Sequence, residues 1–186
     1  MSDLIVTEFV SLDGVMEAPG GEPTHPHTGW TIPYHGPEQM EYKFQEMLDA
    51  EVHLIGRVTY ESFAGAWPTY EGPFADRMNS MPKVVVSATL TDPAWNNTTV
   101  LAGPVVDGVR ALKERSSGPI LVAGSATLVH TLLDAGLVDE LRLMVFPVSI
   151  GGGVRVFPDS RRRIDWTVVD SRSFATGVRV DALRPA

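Results

Sequence analysis

The chain contains no cysteine. Disulfides, thiolate metal sites and cysteine nucleophiles are excluded together, so any chemistry must come from other groups. No apolar run is long enough to span a bilayer, and no repeat of solenoid period is present. No basic stretch precedes the first apolar segment, which follows Met1-Ser2-Asp3, so the expected compartment is the cytoplasm. Positive charge is scarce: 15 Lys and Arg stand against 23 Asp and Glu, for a formal net charge of −8. That balance argues against a general nucleic-acid surface. The one dense basic run, Arg161-Arg162-Arg163, reads as a solvated turn. His25, His27 and His35 are clustered, but no carboxylate pair stands at regular spacing beside them, and no metal site is expected.

What is present fits one domain spanning residues 1–186, with 44% hydrophobic and 20% charged residues. Strands are expected over Leu4 to Val10, Glu51 to Ile55, Lys83 to Val86, Ile120 to Ala123 and Leu141 to Val148. Trp95 to Leu101 contains a candidate edge strand. Helices are expected from Pro37, with Met40, Phe44, Met47 and Leu48 at helical spacing, and over Val105 to Arg115, with Val105, Val109 and Leu112 inward. Another follows Thr127 with Leu128, Val129, Leu132 and Leu133 on one face and Gly136 as its C′ residue. Trp166 to Ser173 and Gly177 to Leu183 alternate like an antiparallel pair. The architecture is a mainly parallel α/β sheet that finishes with a hairpin. Between Glu17 and Pro37, four Gly and five Pro among 21 residues mark a long loop. Trp30 and Tyr34 in that loop either cover a ligand or anchor the loop to the core.

Three strand ends carry small or hydroxyl residues: Gly56-Arg57-Val58-Thr59, Ser87-Ala88-Thr89 and Gly124-Ser125-Ala126-Thr127. At the first and third a helix starts at once, and its free N–H groups and positive dipole end attract an anion such as a phosphate. Small residues there let a ligand approach the backbone. The alternative is that packing alone demands them. Gly151-Gly152-Gly153 marks another close approach.

These pieces, with Ser11-Leu12-Asp13-Gly14, the Tyr60-Glu61 that follows Thr59, and Gly136-Leu137-Val138-Asp139-Glu140-Leu141 ahead of Pro147, resemble the dihydrofolate reductase superfamily over nearly the whole chain. The branch they resemble contains the reductase domain of riboflavin biosynthesis. The resemblance implies the three-layer dihydrofolate reductase-like α/β fold and an NADPH-dependent reductase acting on a small heterocyclic or carbonyl substrate, as 5-amino-6-(5-phosphoribosylamino)uracil reductase does. A dinucleotide-binding protein without turnover is the alternative. Gly56, Arg57 and Thr59 match the family's first cofactor motif, Ser87 the position near the adenosine 2′-phosphate, and Gly124, Ser125, Ala126 and Thr127 the pyrophosphate turn. The physics agrees, since Arg57 offers a planar fork to a phosphate monoester and Ser87 a hydroxyl donor. Substrate is expected beside Asp13, Trp30, Tyr60 and Gly151, with Asp13 the candidate proton-handling group or, alternatively, a turn cap. Tyr60 either lines the pocket or packs beneath it. The Val138-Asp139-Glu140 carboxylates are read as fixing a turn. Where the folate-reducing branch holds pterin with a carboxylate, this chain has Met40, so dihydrofolate is not the expected substrate. The resemblance also implies a homodimer.

Overall fold

Leu4–Ser11 (β1) is an apolar run with few polar interruptions, the composition of a strand covered on both faces, and it lies inside an eight-stranded sheet. The computed structural model describes residues 1–157, 159 and 163–186. After β1 the chain runs through α1 (Pro37–Asp49), β2 (Val52–Gly56), α2 (Arg57–Ala66), α3 (Pro73–Ser80), β3 (Lys83–Val86) and β4 (Thr98–Leu101). Then follow α4 (Val105–Arg115), β5 (Ile120–Val122), α5 (Ala126–Asp134), β6 (Glu140–Phe146), β7 (Trp166–Ser173) and β8 (Arg179–Pro185). The strand order is β4-β3-β2-β5-β1-β6-β8-β7. The first six strands in that order are parallel; β8 joins β6 antiparallel and β7 closes the hairpin.

Alternation along the strands sorts the core into two layers. Leu4, Val6, Leu54 and Val122 pack with Val109, Leu112, Leu128, Val129, Leu132 and Leu133 of α4 and α5. Ile5, Ile55, Val85 and Leu121 pack with Met47, Tyr60 and Met78 of α1, α2 and α3. The result is three layers, helices on both faces of the sheet, as parallel strands require. Gly136 ends α5 at φ +64°, with its N–H donating to Leu133 O (3.1 Å) and the Leu137 N–H to Leu132 O (3.0 Å). This Schellman closure needs the left-handed residue the sequence supplies.

The inward face of α1 differs from expectation. Met40 and Leu48 are both 46% exposed, whereas Gln39, Glu46 and Met47 are buried. The face is rotated because its polar residues find partners beneath the helix. Gln39 Nε2 donates to Tyr34 O (2.6 Å) and Thr176 Oγ1 (2.5 Å), and Glu46 pairs with Lys43 (2.5 Å) and Arg142 (3.2 Å) and accepts from Thr7 Oγ1. Asp139 accepts from Leu4 N–H (2.6 Å) and Lys113 Nζ (2.5 Å), and Glu140 pairs with Arg142 and Arg184. The two carboxylates thus fix the entry to β6, as expected. Of the basic run, Arg163 is exposed and paired with Asp165 (2.8 Å); Arg161 and Arg162 lie outside the described residues. Among the described residues no helix is long and apolar enough to cross a membrane.

Candidate functional site

β2 continues through α2 and α3 to β3 on one side of it, while β5, its sheet neighbour, continues through α5 to β6 on the other side. Adjacent strands whose connections diverge open a crevice at their carboxyl ends, the usual ligand position in such sheets. Here the crevice is bounded by the N-terminal ends of α2 and α5, helices that lie on opposite faces. Their N-caps, Gly56 and Ser125, make no side-chain capping bond. Apart from the Thr59 N–H, which Ser125 Oγ accepts from across the crevice, N–H groups of both first turns are left to a ligand or to water.

The two turns are locked to each other. Gly56 N–H donates to Gly124 O (3.1 Å), Thr59 N–H donates to Ser125 Oγ (3.1 Å), and the Thr59 and Ser125 hydroxyls are 3.0 Å apart. The reason for glycine is steric. A Cβ on Gly56 would stand 2.7 Å from Ser125 Oγ and 2.9 Å from its backbone nitrogen, and one on Gly124 would stand 2.7 Å from Thr59 Oγ1. Gly124 also has φ +74°, and the Gly124–Ser125 peptide is cis. The glycines thus admit neighbouring protein atoms, joining two helix ends into one surface. Ala126 is half-buried and Thr127 exposed on the first turn of α5.

Arg57, the first residue of α2, donates from Nη1 to both carboxylate oxygens of Glu61 one turn on (2.8 and 2.9 Å), and its side chain is 44% exposed. An exposed pair of this spacing is worth only about 0.3–0.5 kcal/mol, so the guanidinium is free to exchange it for a stronger anion. Ser87, at the end of β3, accepts the N–H groups of Thr89 (3.1 Å) and Leu90 (2.9 Å) on Oγ. Its hydroxyl proton remains available to donate.

Asp13 and Gly151 come together as expected, but in the geometry of a cap. The Asp13 carboxylate accepts from Ser11 Oγ (2.6 Å), Gly151 N–H (2.7 Å) and Ile150 N–H (3.2 Å). The Ser11 hydroxyl first, then the Gly151 amide, hold it at about 2, well below the ordinary carboxylate range. It is an ionised brace for the loop after β6 rather than a proton donor near neutral pH. Glu17 repeats the arrangement, accepting from Val154 N–H (2.9 Å), and His25 Nε2 lies 2.8 Å from Gly152 O.

Trp30 and Tyr60 do not face the crevice. Trp30 is buried, packs edge-on against Phe146 (5.5 Å between centroids) and donates Nε1–H to Glu17 O (2.8 Å). Tyr60 is buried in the α1–α3 layer and accepts Trp95 N–H on its hydroxyl (3.1 Å). Both aromatics are anchors, the second of the two readings each allowed. An open groove of about 1050 Å³ runs between α1 and the β6–β8–β7 face, and none of the expected site residues lines it. Neither Met40 nor Glu41 is buried; the buried carboxylate of α1 is Glu46, already held by Lys43 and Arg142.

Glu8 and His53 are among the buried ionisable groups that the sequence pattern does not reveal. Glu8 on β1 accepts Gly124 N–H on Oε1 (2.6 Å), and burial pushes its carboxyl up to about 8, against the lesser opposing effects of that amide and of Lys43. His53 on β2 is fully buried, and neither ring nitrogen has a hydrogen-bond partner among the described residues. The available signal was a single ionisable residue inside each apolar strand. Among the described residues, no group of three or more His, Asp or Glu could hold a metal ion.

Comparison with known proteins agrees with this architecture. The profile of the family described as the RibD C-terminal domain matches residues 2–180. The uncharacterized protein YyaP of Bacillus subtilis strain 168 is 29% identical over 180 residues, covering 94% of this chain and 90% of its own. A candidate riboflavin biosynthesis protein of Shewanella sp. PV-4 has a TM-score of 0.79 at 21% identity, with 99% of both chains covered. Dihydrofolate reductase of Enterococcus faecalis, solved with NADP(H) and RAB-propyl, gives 0.65 at 15% identity over 98% of this chain and 96% of its own. The fold is dihydrofolate reductase-like.

Proposed function

The chain belongs to the RibD C-terminal domain family, and on that premise we propose that it is an NADPH-dependent reductase of a small heterocyclic or carbonyl substrate. The observation that carries the reading is the joining of two helix ends, neither capped by its own N-cap side chain, at the strand-end crevice through the Gly56–Gly124 and Thr59–Ser125 bonds. A pyrophosphate suits that surface, because two sets of free N–H groups and two helix dipoles add there. In this reading the turn from Gly124 to Thr127 holds the pyrophosphate, and Gly56 and Thr59 hold that turn in place. Arg57 and Ser87 take the 2′-phosphate. When bound, the cofactor supplies the hydride. The braced loop from Ile150 to Val154, tied down by Asp13 and Glu17, forms a wall on the substrate side.

The expected consequence is a preference for NADPH over NADH. Arg57→Ala should weaken NADPH by about 1.5–3 kcal/mol, the worth of charge-assisted hydrogen bonds, while NADH loses little. Fluorescence titration of both cofactors measures this. Equal losses would remove Arg57 from the 2′-phosphate.

One observation favours the second reading, dinucleotide binding without turnover: Trp30 and Tyr60, the aromatics expected to receive substrate, are committed to the core. Steady-state NADPH oxidation with a panel of pterins, ribosylaminopyrimidines and carbonyls separates the two readings. Turnover of any member supports the reductase; binding without oxidation across the panel supports the alternative.

The same reading includes a homodimer. Its support is β7, a sheet-edge strand with Val168 and Val169 58% and 51% exposed, since an uncovered edge strand offers unpaired backbone groups and, here, two valines to a second copy. Light scattering should give twice the 20.2 kDa of one chain. A constant monomer mass over a wide concentration range would refute it.

A further inference from the structure

Glu8 stands where the sheet meets the turn. On β1, Thr7 points to the α1 layer, where Lys43 Nζ bonds its hydroxyl (2.7 Å), so Glu8 points to the α5 side with Leu4, Val6 and Val10. β5 pairs with β1 only as far as Val6 and Val122. Beyond that point the two strands are no longer laddered, and the Glu8 carboxyl takes up the Gly124 amide instead, at 2.6 Å across 116 residues of sequence. Gly124 is therefore held on two sides, by Glu8 through its N–H and by Gly56 through its carbonyl.

We propose that Glu8 is the positioning residue of the dinucleotide turn, holding the Gly124 amide as a neutral acid, and that dinucleotide binding is linked to its protonation. The inference rests on the reading of that turn as the pyrophosphate site. Its physical basis is like-charge repulsion. An ionised carboxylate bonded to the first amide of the turn would place a negative charge beneath the surface that must accept a pyrophosphate, with little water between to screen it. A protonated carboxyl keeps the acceptor oxygen for Gly124 and carries no charge.

The surroundings agree. β6 contributes uncharged Leu143 in register with Glu8, the α5 turn contributes the Gly124 amide, and α1 contributes Lys43, whose charge is engaged by Glu46 at 2.5 Å. With burial dominating, the carboxyl sits at about 8. An arriving anion raises it further, so binding favours the protonated form. Affinity is therefore full below the value in the free protein and falls as pH rises through it. Asp13, at about 2, does not titrate in this range. Lys83, lowered to about 8 by burial and then Arg77, is bonded to the carbonyls of Met78, Asn79 and Met81 at the amino end of β3, away from the crevice.

The test is NADPH affinity between pH 7 and 9.5 for the wild type and for Glu8→Gln, which keeps the acceptor oxygen and removes the titration. The wild-type Kd should rise about tenfold per unit above pH 8, roughly thirtyfold in all, while that of Glu8→Gln stays within about threefold. The Gly124 amide resonance of the free wild type should move through the same titration and stay fixed in the variant. Glu8→Leu, which deletes the acceptor, should weaken NADPH at every pH. A flat wild-type profile with NADPH bound would overturn the proposal and leave the cofactor reading intact. Absence of NADPH binding at pH 7, with the Gly124 amide still titrating, would overturn the cofactor reading and the linkage with it.

Discussion

Replacing His53 by Leu is expected to stabilise the protein at neutral pH and to stabilise it further as the solution is acidified. The imidazole is fully buried in β2, beside Phe63, and neither nitrogen has a hydrogen-bond partner among the described residues. Removing two orphaned polar atoms while filling the space should gain about 1–2 kcal/mol at pH 7. Burial first, then the charges of Lys83 and Lys43, drive His53 down from 6.5 to about 3. Below pH 6.5 the unfolded chain takes up a proton that the folded chain refuses, so the wild type loses stability between pH 6.5 and about 3. At pH 4.5 that loss is on the order of 2–3 kcal/mol, a large share of a typical 5–15 kcal/mol total. Glu8 acts in the opposite sense. Its folded value, raised from 4.5 to about 8, adds stability as pH falls from 8 to 4.5. Between pH 6.5 and 4.5 the two slopes offset each other, and the wild type should show a plateau there. His53→Leu should remove one slope and expose the other, so its stability should climb across the same window. Urea midpoints at pH 7, 5.5 and 4.5 decide the matter: a constant difference between variant and wild type would mean that His53 takes up its proton in the fold.

The strands and most helices were legible because each carries one kind of information. Leu4 to Val10 and Ile120 to Ala123 are apolar over a strand's length, and Gly136 closes α5 where only the left-handed conformation fits. The face of α1 was not legible, since periodicity counts apolar residues and this helix buries Gln39 and Glu46 against partners on distant segments, Thr176 and Arg142. Trp30 and Tyr60 carry the same ambiguity in another form. An aromatic ring with one polar atom suits a pocket wall or a core equally, and only Glu17 O and Trp95 N–H, found by folding, show which. The strand-end glycines were visible, but not what they admit. Ser125 and Thr59 are separated by 66 residues, and their contact exists only because β2 and β5 are neighbours. Glu8 and His53 were overlooked because a lone polar residue in an apolar strand hardly alters the pattern that identifies the strand.

Gly124→Ala should both destabilise the fold and abolish NADPH binding, and the two losses should separate in a Thr59→Ala background. The added methyl faces two obstacles of different origin. One is backbone conformation: at φ +74° a residue with a Cβ costs about 1–2 kcal/mol wherever it points. The other is contact, because the new Cβ would stand 2.7 Å from Thr59 Oγ1, and Thr59 cannot withdraw without breaking its bonds to Ser125. Overpacking of this kind adds about 1–3 kcal/mol, for a total on the order of 2–5 kcal/mol. Thr59→Ala removes the hydroxyl and leaves Thr59 Cβ as the nearest atom of that residue, at 3.8 Å, an ordinary van der Waals distance. In that background the cost of Gly124→Ala should fall to the conformational part alone, so the cycle should show a coupling of about 1–3 kcal/mol, the contact part. Binding should not recover with stability. The double variant still has a methyl at the head of the turn and has lost the hydroxyl that positions Ser125, so the helix ends no longer present one surface to a pyrophosphate. Equal destabilisation in both backgrounds would show that Thr59 is not the obstacle, and NADPH affinity unchanged in Gly124→Ala would reduce the turn to a packing device.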